Sequence, residues 1–385
     1  MPEKKRQHYV PKFYMQLFAD KEKKFSVYNI KDNKILDSVP YDNQCYKDYY
    51  YGKDRVWEDK LAVLELEWAN VMQKLLSKCT LSAEDIKLIK QFALYQRQRT
   101  FGEGEFQKQA KREATVEQGK SFYATKGWAF NKRAEDFCIK KADEHITPGE
   151  TLMFAEKLEN IISDLHLLII SYNTKAKLFS SDVPVIAINP FQKQTIGYGC
   201  MGLILFFPVS ESMLVVIYDD KMYPKFKHEL YITSQNEKEV IDLNTLQVIS
   251  AEKILFANNP RNFDNCSNNS LDVRNKNRSK SAISTFGSPP NKMTVYGQRT
   301  TLYKCNFSFG LVRKDFDDIP YPCREAVPRA WEKGWEKKLK DKILIMPQIV
   351  LLQKDVMKSL GLTSKETRRG CTKMLTSAKK YWRGM

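Results

Sequence analysis

Apolar and polar residues alternate over Phe25-Ser26-Val27-Tyr28-Asn29-Ile30 and again over Ile35-Leu36-Asp37-Ser38-Val39. Lys31-Asp32-Asn33-Lys34 separates the two runs. This spacing predicts two short strands joined by an Asp-Asn turn, a β-hairpin. The period then changes. Trp57, Leu61, Leu64, Trp68, Met72 and Leu75 recur three and four residues apart, the stripe of an amphipathic helix. Ser82, with Asp85 three residues on, predicts the cap of a second helix, whose stripe runs through Leu88, Phe92, Tyr95 and Arg99. The link is a few residues, so the two helices should pack antiparallel. Glu58, near the start of the first, is then expected to face Arg99, near the end of the second. Glu65 shares the Leu61 stripe.

Downstream, residues 102–145 are charged, lysine-rich and weakly periodic, and read as a solvated helical excursion. Thr147-Pro148-Gly149-Glu150 opens a third helix with Leu152, Ala155, Leu158, Ile161 and Ile162 on its apolar face. Leu165–Ser171, Gly202–Val209, Met213–Tyr218 and Lys253–Ala257 read as strands, and Asn236–Ser250 as a helix. Helices followed by mixed strands and helices define an α+β class rather than a βαβ array. The expected architecture is an N-terminal β-hairpin and antiparallel helix pair with a mixed sheet, plus a basic helical C-terminal appendage. In domain terms, residues 1–257 form the main domain and 258–292 a basic mobile loop. Residues 293–323 return as strands of the main domain, and 324–385 form the tail.

Charge adds a partner class. The chain of 385 residues carries +17, and +10 of it falls between Arg324 and Met385, with 16 basic and 6 acidic residues there. Such a field favours polyanions. Trp331, Trp335, Tyr381 and Trp382 are interleaved with the tail's cations, and Arg368, Arg369, Lys379, Lys380 and Arg383 are its candidate nucleic-acid contacts. The alternative is an amphipathic pair packing its tryptophans on the main domain. The apolar runs are far short of the roughly 18 residues that span a bilayer, and no apolar stretch follows the charged N-terminus, so no membrane partner is expected. Eight scattered cysteines without a CxxC pair suit a reducing, cytoplasmic setting.

The P-loop, GxGxxG, GxSxG and HExxH patterns are absent, which excludes most ATPases, dinucleotide enzymes and α/β-hydrolases. Three polar groups with apolar neighbours remain. His8 lies among aromatics, where its pKa could move toward neutrality for acid–base work, or its ring could bond to backbone under the N-terminal segment. Glu58 and Arg99 form either a structural ion pair or a carboxylate beside a charge-stabilising arginine. Ser181-Asp182, at a strand end before Pro184, offers a metal ligand, a general base or a plain turn.

His8-Tyr9-Val10-Pro11, followed by Phe13-Tyr14 and Leu17-Phe18, resembles the opening of the family known as domain of unknown function 4238. The resemblance continues through the tyrosine-rich segment before Glu58, Gln96-x-x-Arg99-Thr100, Ser181-Asp182-x-Pro184-Val185 and Phe207-Pro208, over residues 5–260. Phe101 stands where the family usually has proline, and the tail lies outside the pattern. The resemblance implies a recurring polar set at Gln7, His8, Glu58, Gln96, Arg99, Ser181 and Asp182. Such a set implies a hydrolytic site. His8, Glu58, Arg99 and Asp182 would be catalytic, with Gln7, Gln96 and Ser181 positioning the substrate. The expected function is a nuclease, on RNA more than DNA, acting as a phage-defence or toxin effector. Asp182 and Glu58 would hold a divalent ion, magnesium or manganese. The alternative is a non-catalytic nucleic-acid- or partner-binding module, and an antitoxin or other protein partner stays open.

Overall fold

A computed structural model describes residues 5–296 apart from 54, 144–147, 190–197, 200–201, 221–222, 265–268, 278–282 and 287–292. The chain opens with β1 (Arg6–His8) and the short α1 (Lys12–Gln16). The expected hairpin follows as β2 (Lys24–Asn29) and β3 (Lys34–Pro40), with Asn33 left-handed in the turn. β4 (Tyr46–Asp48) returns to pair with β1, setting His8 opposite Tyr46.

The helix pair is α2 (Val56–Leu76) and α3 (Ala83–Arg99). Leu61, Trp68, Met72 and Leu75 are buried, as their spacing requires. Ser82 and Asp85 form a reciprocal capping box at the start of α3. The charged stretch that follows is a helical hairpin, α4 (Phe101–Thr125) and α5 (Lys132–Asp143), and α6 (Pro148–Leu158) closes the helical half. The hairpin is less solvated than its composition suggested. Phe106, Ala110, Ala114 and Gly119 of α4 are buried.

The sheet half begins at β5 (His166–Tyr172), β6 (Ser180–Ser181), β7 (Ile186–Ile188), β8 (Ile204–Ser210) and β9 (Met213–Tyr218). β10 (Tyr231–Ser234), α7 (Glu237–Ser250) and β11 (Ile254–Ala257) follow. Five strands form a mixed sheet in the order β10-β5-β9-β8-β7, and four form an antiparallel sheet in the order β3-β2-β11-β6. The larger sheet is covered on both faces. Leu167, Ile169, Leu205, Phe207, Val215 and Ile217 pack into the core shared with α2, α3 and α6. Leu168, Ile170, Ile204, Phe206 and Val216 pack with Val240, Leu243 and Leu246 of α7. Double coverage explains why these strands read as unbroken apolar runs rather than alternating ones. The expected α+β class holds.

One expectation is revised. Part of the segment read as a mobile loop is the helix α8 (Asn269–Asn277), whose Arg274 Nε donates to the Ala251 carbonyl at 3.1 Å and so ties it to α7. The hairpin β12 (Ile283–Phe286) and β13 (Met293–Tyr296) follows. The expected strands beyond residue 296 and the tail 324–385 lie outside the described residues.

Close packing of α4 on α5 depends on Gly119. A Cβ there would lie 2.6 Å from Cys138 Sγ and 3.0 Å from the Phe130 ring. Gly119→Ala should therefore lower stability by roughly 1–3 kcal/mol, as overpacking does. Cys138→Ala in the same chain should restore most of the loss. A gain of about 1 kcal/mol from Gly119→Ala alone, the ordinary helix-propensity effect, would mean the helices do not approach as described. Chemical denaturation of the three variants decides.

Candidate functional site

The N-terminal segment enters the fold between the helix pair and both sheets. Gln7 is buried, accepting from the Tyr51 N–H at 2.6 Å and donating to the Gly52 carbonyl at 3.0 Å. Its β neighbours Arg6 and His8 therefore point to the opposite face. Tyr14, on α1, is fully buried and donates to the Pro208 carbonyl at 2.5 Å, with Ser180 Oγ 3.0 Å away. Gln96 Nε2 donates to the Tyr9 carbonyl at 3.0 Å.

Arg99 is the centre of this arrangement. Its side chain is 2% exposed. Nη2 donates to the His8 carbonyl at 2.6 Å, Nε to the Tyr51 hydroxyl at 2.9 Å and Nη1 to Glu65 Oε1 at 2.7 Å. Burial works against the charge, but the Tyr51 oxygen and the Glu65 carboxylate outweigh it and raise the guanidinium's pKa further. The expected Glu58–Arg99 pair is thus corrected. The carboxylate bonded to Arg99 is Glu65, two turns deeper into α2, because the helix overlap brings the end of α3 past the first turn of α2. Glu58 is half-buried and acts on the Tyr51 hydroxyl through its charge.

His8 also departs from expectation. Its pKa is not held near neutrality but lowered to about 4, chiefly by burial, with the Lys12 and Arg99 charges adding to the effect. Nε2 lies 3.1 Å from the Asp42 carbonyl, a bond that opposes the shift without reversing it. The ring is neutral at pH 7, and its bond to backbone matches the structural alternative.

Ser181 and Asp182 sit where β6 ends against β11. Ser181 Oγ donates to Gln247 Oε1 at 2.8 Å and accepts from the Val183 N–H at 3.1 Å. Asp182 is 1% exposed, and its two oxygens accept from the Glu252 and Lys253 N–H groups, each at 2.9 Å. Burial nevertheless pushes its pKa up to about 7. Its charge is felt by Tyr9 and by Cys45, a buried thiol pushed well above its ordinary value by burial. Donors already point at both oxygens, so Asp182 does not fit the metal-ligand role expected of it with Glu58. Among the described residues no cluster of three or more His, Cys, Asp or Glu could hold a metal ion.

Of the expected polar set, Gln96 and Arg99 are tied to the backbone of Tyr9 and His8 beside Gln7, whereas Ser181 and Asp182 are bonded to Gln247 and to the backbone before β11. What the same segment shows to solvent is different. Arg6 lies over the Tyr46 ring at 4.7 Å and Lys53 over the Tyr49 ring at 5.3 Å. Lys47 and Lys253 both stand over Phe101, at 5.2 and 4.7 Å. Tyr46, Tyr49 and Phe101 are half-buried rings with cations above them. Lys5 pairs with Asp48 at 3.1 Å and Lys12 with Asp42 at 3.4 Å. Beside this face opens a cavity of about 120 Å³, lined by Lys47, Lys108, Asp48, Glu105, Tyr50 and Thr151 among others. Sequence reasoning missed this face because its members lie on β1, β4, α4 and the loop before β11. The aromatic cluster at Tyr46–Tyr51 was its one visible signal. The tail contacts Arg368, Arg369, Lys379, Lys380 and Arg383 lie outside the described residues.

An α+β protein in which an N-terminal strand and helix plug the junction of two sheets, locked by a buried arginine, is the class this geometry defines. The chain belongs to the family described as protein of unknown function (DUF4238), whose sequence profile matches residues 6–261. No curated protein and no solved structure matches it.

Arg99→Ala should cost roughly 3–5 kcal/mol, because it strands Glu65, the Tyr51 hydroxyl and the His8 carbonyl. Glu65→Gln, which breaks the bond to the guanidinium, should cost more than Glu58→Gln. Comparable losses from both in urea melts would restore the Glu58 pairing.

Asp182 titrates at about 7 when folded and at an ordinary carboxylate value when unfolded. Its contribution is thus fully present below about pH 4 and is lost as pH rises through about 7. Asp182→Asn should lower stability at every pH, since an amide presents only one acceptor to two N–H groups, and should flatten the decline between about pH 4 and 7. An unchanged pH slope in that window would show that Asp182 is ionised in the native state throughout.

Proposed function

We propose that the protein is a nucleic-acid-binding module that takes single-stranded nucleic acid, RNA in preference to DNA, along the β1–β4 ribbon, with Arg6 and Tyr46 on one side of it and Lys47 above Phe101 on the other. The observation that carries this reading is the set of half-buried rings, Tyr46, Tyr49 and Phe101, overlain by Arg6, Lys53, Lys47 and Lys253. Rings on which bases stack, interleaved with cations that meet phosphates, are what sequence-tolerant binding of a single strand requires. The lysines over Phe101 are surface side chains that can swing to a phosphate while a base takes their place on the ring. The basic tail supports the same reading through its charge alone.

A second reading is a nuclease, as a phage-defence or toxin effector would be. One observation favours it: the Asp182 carboxyl, held near pKa 7, has the value a general acid or base needs at neutral pH. Asp182 is buried, so cleavage would require β6 to part from the N-terminal plug.

End-labelled single-stranded RNA and DNA, titrated with the full chain with and without magnesium or manganese, test both readings. Lys47→Ala with Lys253→Ala should weaken binding and reduce the slope of log affinity against log salt by about 0.7 per lost phosphate contact. Phe101→Leu should weaken it without changing that slope. A third variant reversing the charge of Arg368, Arg369, Lys379, Lys380 and Arg383 separates the tail's share. Affinity and slope that survive the face variants would overturn the proposed face. Shortening of the labelled strand, lost in Asp182→Asn, would replace the binding reading by the nuclease.

A further inference from the structure

We propose that the tip of the α4–α5 hairpin docks on an anionic lipid surface. This inference concerns a different part of the molecule from the proposed nucleic-acid face and does not rest on it. None of the fourteen residues from Lys120 to Arg133 is buried, although α4 has buried positions as far as Gly119, which faces Cys138 and Phe130 of the same hairpin. The hairpin therefore projects, and its end is apolar. Phe122, Tyr123, Trp128 and Phe130 cluster there, with Trp128 59% exposed.

Within the tip itself the charge is of one sign. Residues 120–133 contain Lys120, Lys126, Lys132 and Arg133 and no Asp or Glu. Glu117 holds Lys120 at 2.9 Å, and Glu135 and Asp136 hold Lys132 at 3.2 and 3.3 Å. Among the described residues no carboxylate reaches Lys126 or Arg133, and Lys126 stands 5.8 Å over the Phe122 ring. Cations ringing an exposed aromatic end complement an anionic headgroup layer, while Trp and Tyr are the side chains suited to the boundary of headgroup and acyl chain.

The ring geometry favours lipid over nucleic acid. Tyr123 meets Trp128 and Phe130 edge to face at 5.7 and 5.4 Å, and Phe122 meets Trp128 likewise at 6.3 Å. Rings turned edge to face on one another make a poorer stack for successive bases than parallel open rings would, whereas together they present one continuous apolar wedge. The backbone at the tip is also satisfied internally. Gly127, left-handed at φ 70°, closes α4 with its N–H on the Ala124 carbonyl at 3.1 Å, and the Trp128 N–H reaches the Tyr123 carbonyl at 2.9 Å. Asn131 caps α5 through the Ala134 N–H at 3.0 Å. Entry into the interface would therefore bury few unpaired backbone groups. No helix among the described residues is long and apolar enough to cross a membrane, so the contact is peripheral.

Co-sedimentation of the full chain with sucrose-loaded vesicles tests this, using phosphatidylcholine alone and phosphatidylcholine with phosphatidylserine. Because the basic tail can itself bind anionic vesicles, the comparison is between wild type and tip variants that leave the tail intact. Trp128→Ala, and separately Lys126→Glu with Arg133→Glu, should each reduce partitioning onto the phosphatidylserine vesicles by about fivefold or more. Their thermal melts and binding to labelled RNA should match wild type. Partitioning that is absent, or unchanged in both variants, overturns the proposal. So does a tip variant that weakens RNA binding while vesicle binding persists, which would assign the tip to nucleic acid instead.

Discussion

The guanidinium of Arg99 is the constraint on which the N-terminal half depends. A charge that is 2% exposed must find partners for its donors inside the protein, and the partners here belong to three separate segments. Glu65 is on the facing helix, Tyr51 is in the loop that precedes it, and the His8 carbonyl is on the first strand. Satisfying one side chain thus sets the overlap of α2 and α3 and the position of β1 together. One turn back, Gln96 holds the next carbonyl along, that of Tyr9. With these two carbonyls fixed, Tyr14 arrives where its hydroxyl can reach Pro208 and Ser180 on different sheets. The arrangement is transmitted through backbone carbonyls, so it constrains where the segment runs more than which side chains it carries.

Asp182 does the equivalent work from the other side. The strand it terminates is only two residues long, and a β6–β11 pairing of two residues is weak by itself. By accepting the N–H groups of Glu252 and Lys253, the carboxyl extends that pairing with side-chain bonds. Ser181 and Gln247 add a bond from β6 to α7, and Gln247 also donates to the Pro184 carbonyl at 2.9 Å. The polar residues that resembled a hydrolytic site are therefore joints between elements. A joint and a catalytic group draw on the same residue types, because both need strong, directional hydrogen bonds in a low-dielectric setting.

The secondary structure was legible from periodicity because each element buries one side or both. The capping box at Ser82, the α2 stripe, the β2–β3 hairpin and the apolar strands β5, β8 and β9 all carry that signature. The partner of Arg99 was not legible. Glu58 and Glu65 lie on one stripe, and choosing between them needs the axial offset of two helices, which is set by Trp68, Phe92 and Tyr95 packing rather than by any local pattern. The state of His8 escaped for a similar reason. Neighbouring aromatics were visible, but the extent of burial and the Arg99 charge beneath the strand were not. α8 escaped because its composition is that of a loop, and Arg274, which bonds to the end of α7, carries no periodic signal.

Where a motif is consumed by architecture, its neighbours in sequence are what the architecture leaves outward. β1 shows the division within three residues: Gln7 is turned into the fold, while Arg6 lies against Tyr46 at the surface. Phe101 shows it at the other edge. The turn between α3 and α4 is made by Thr100, which is extended and caps α4 through its own hydroxyl. The phenyl ring that follows is half-buried and packs against the core. What it adds is a flat apolar surface beside Tyr9 and Tyr50 with two lysines above it.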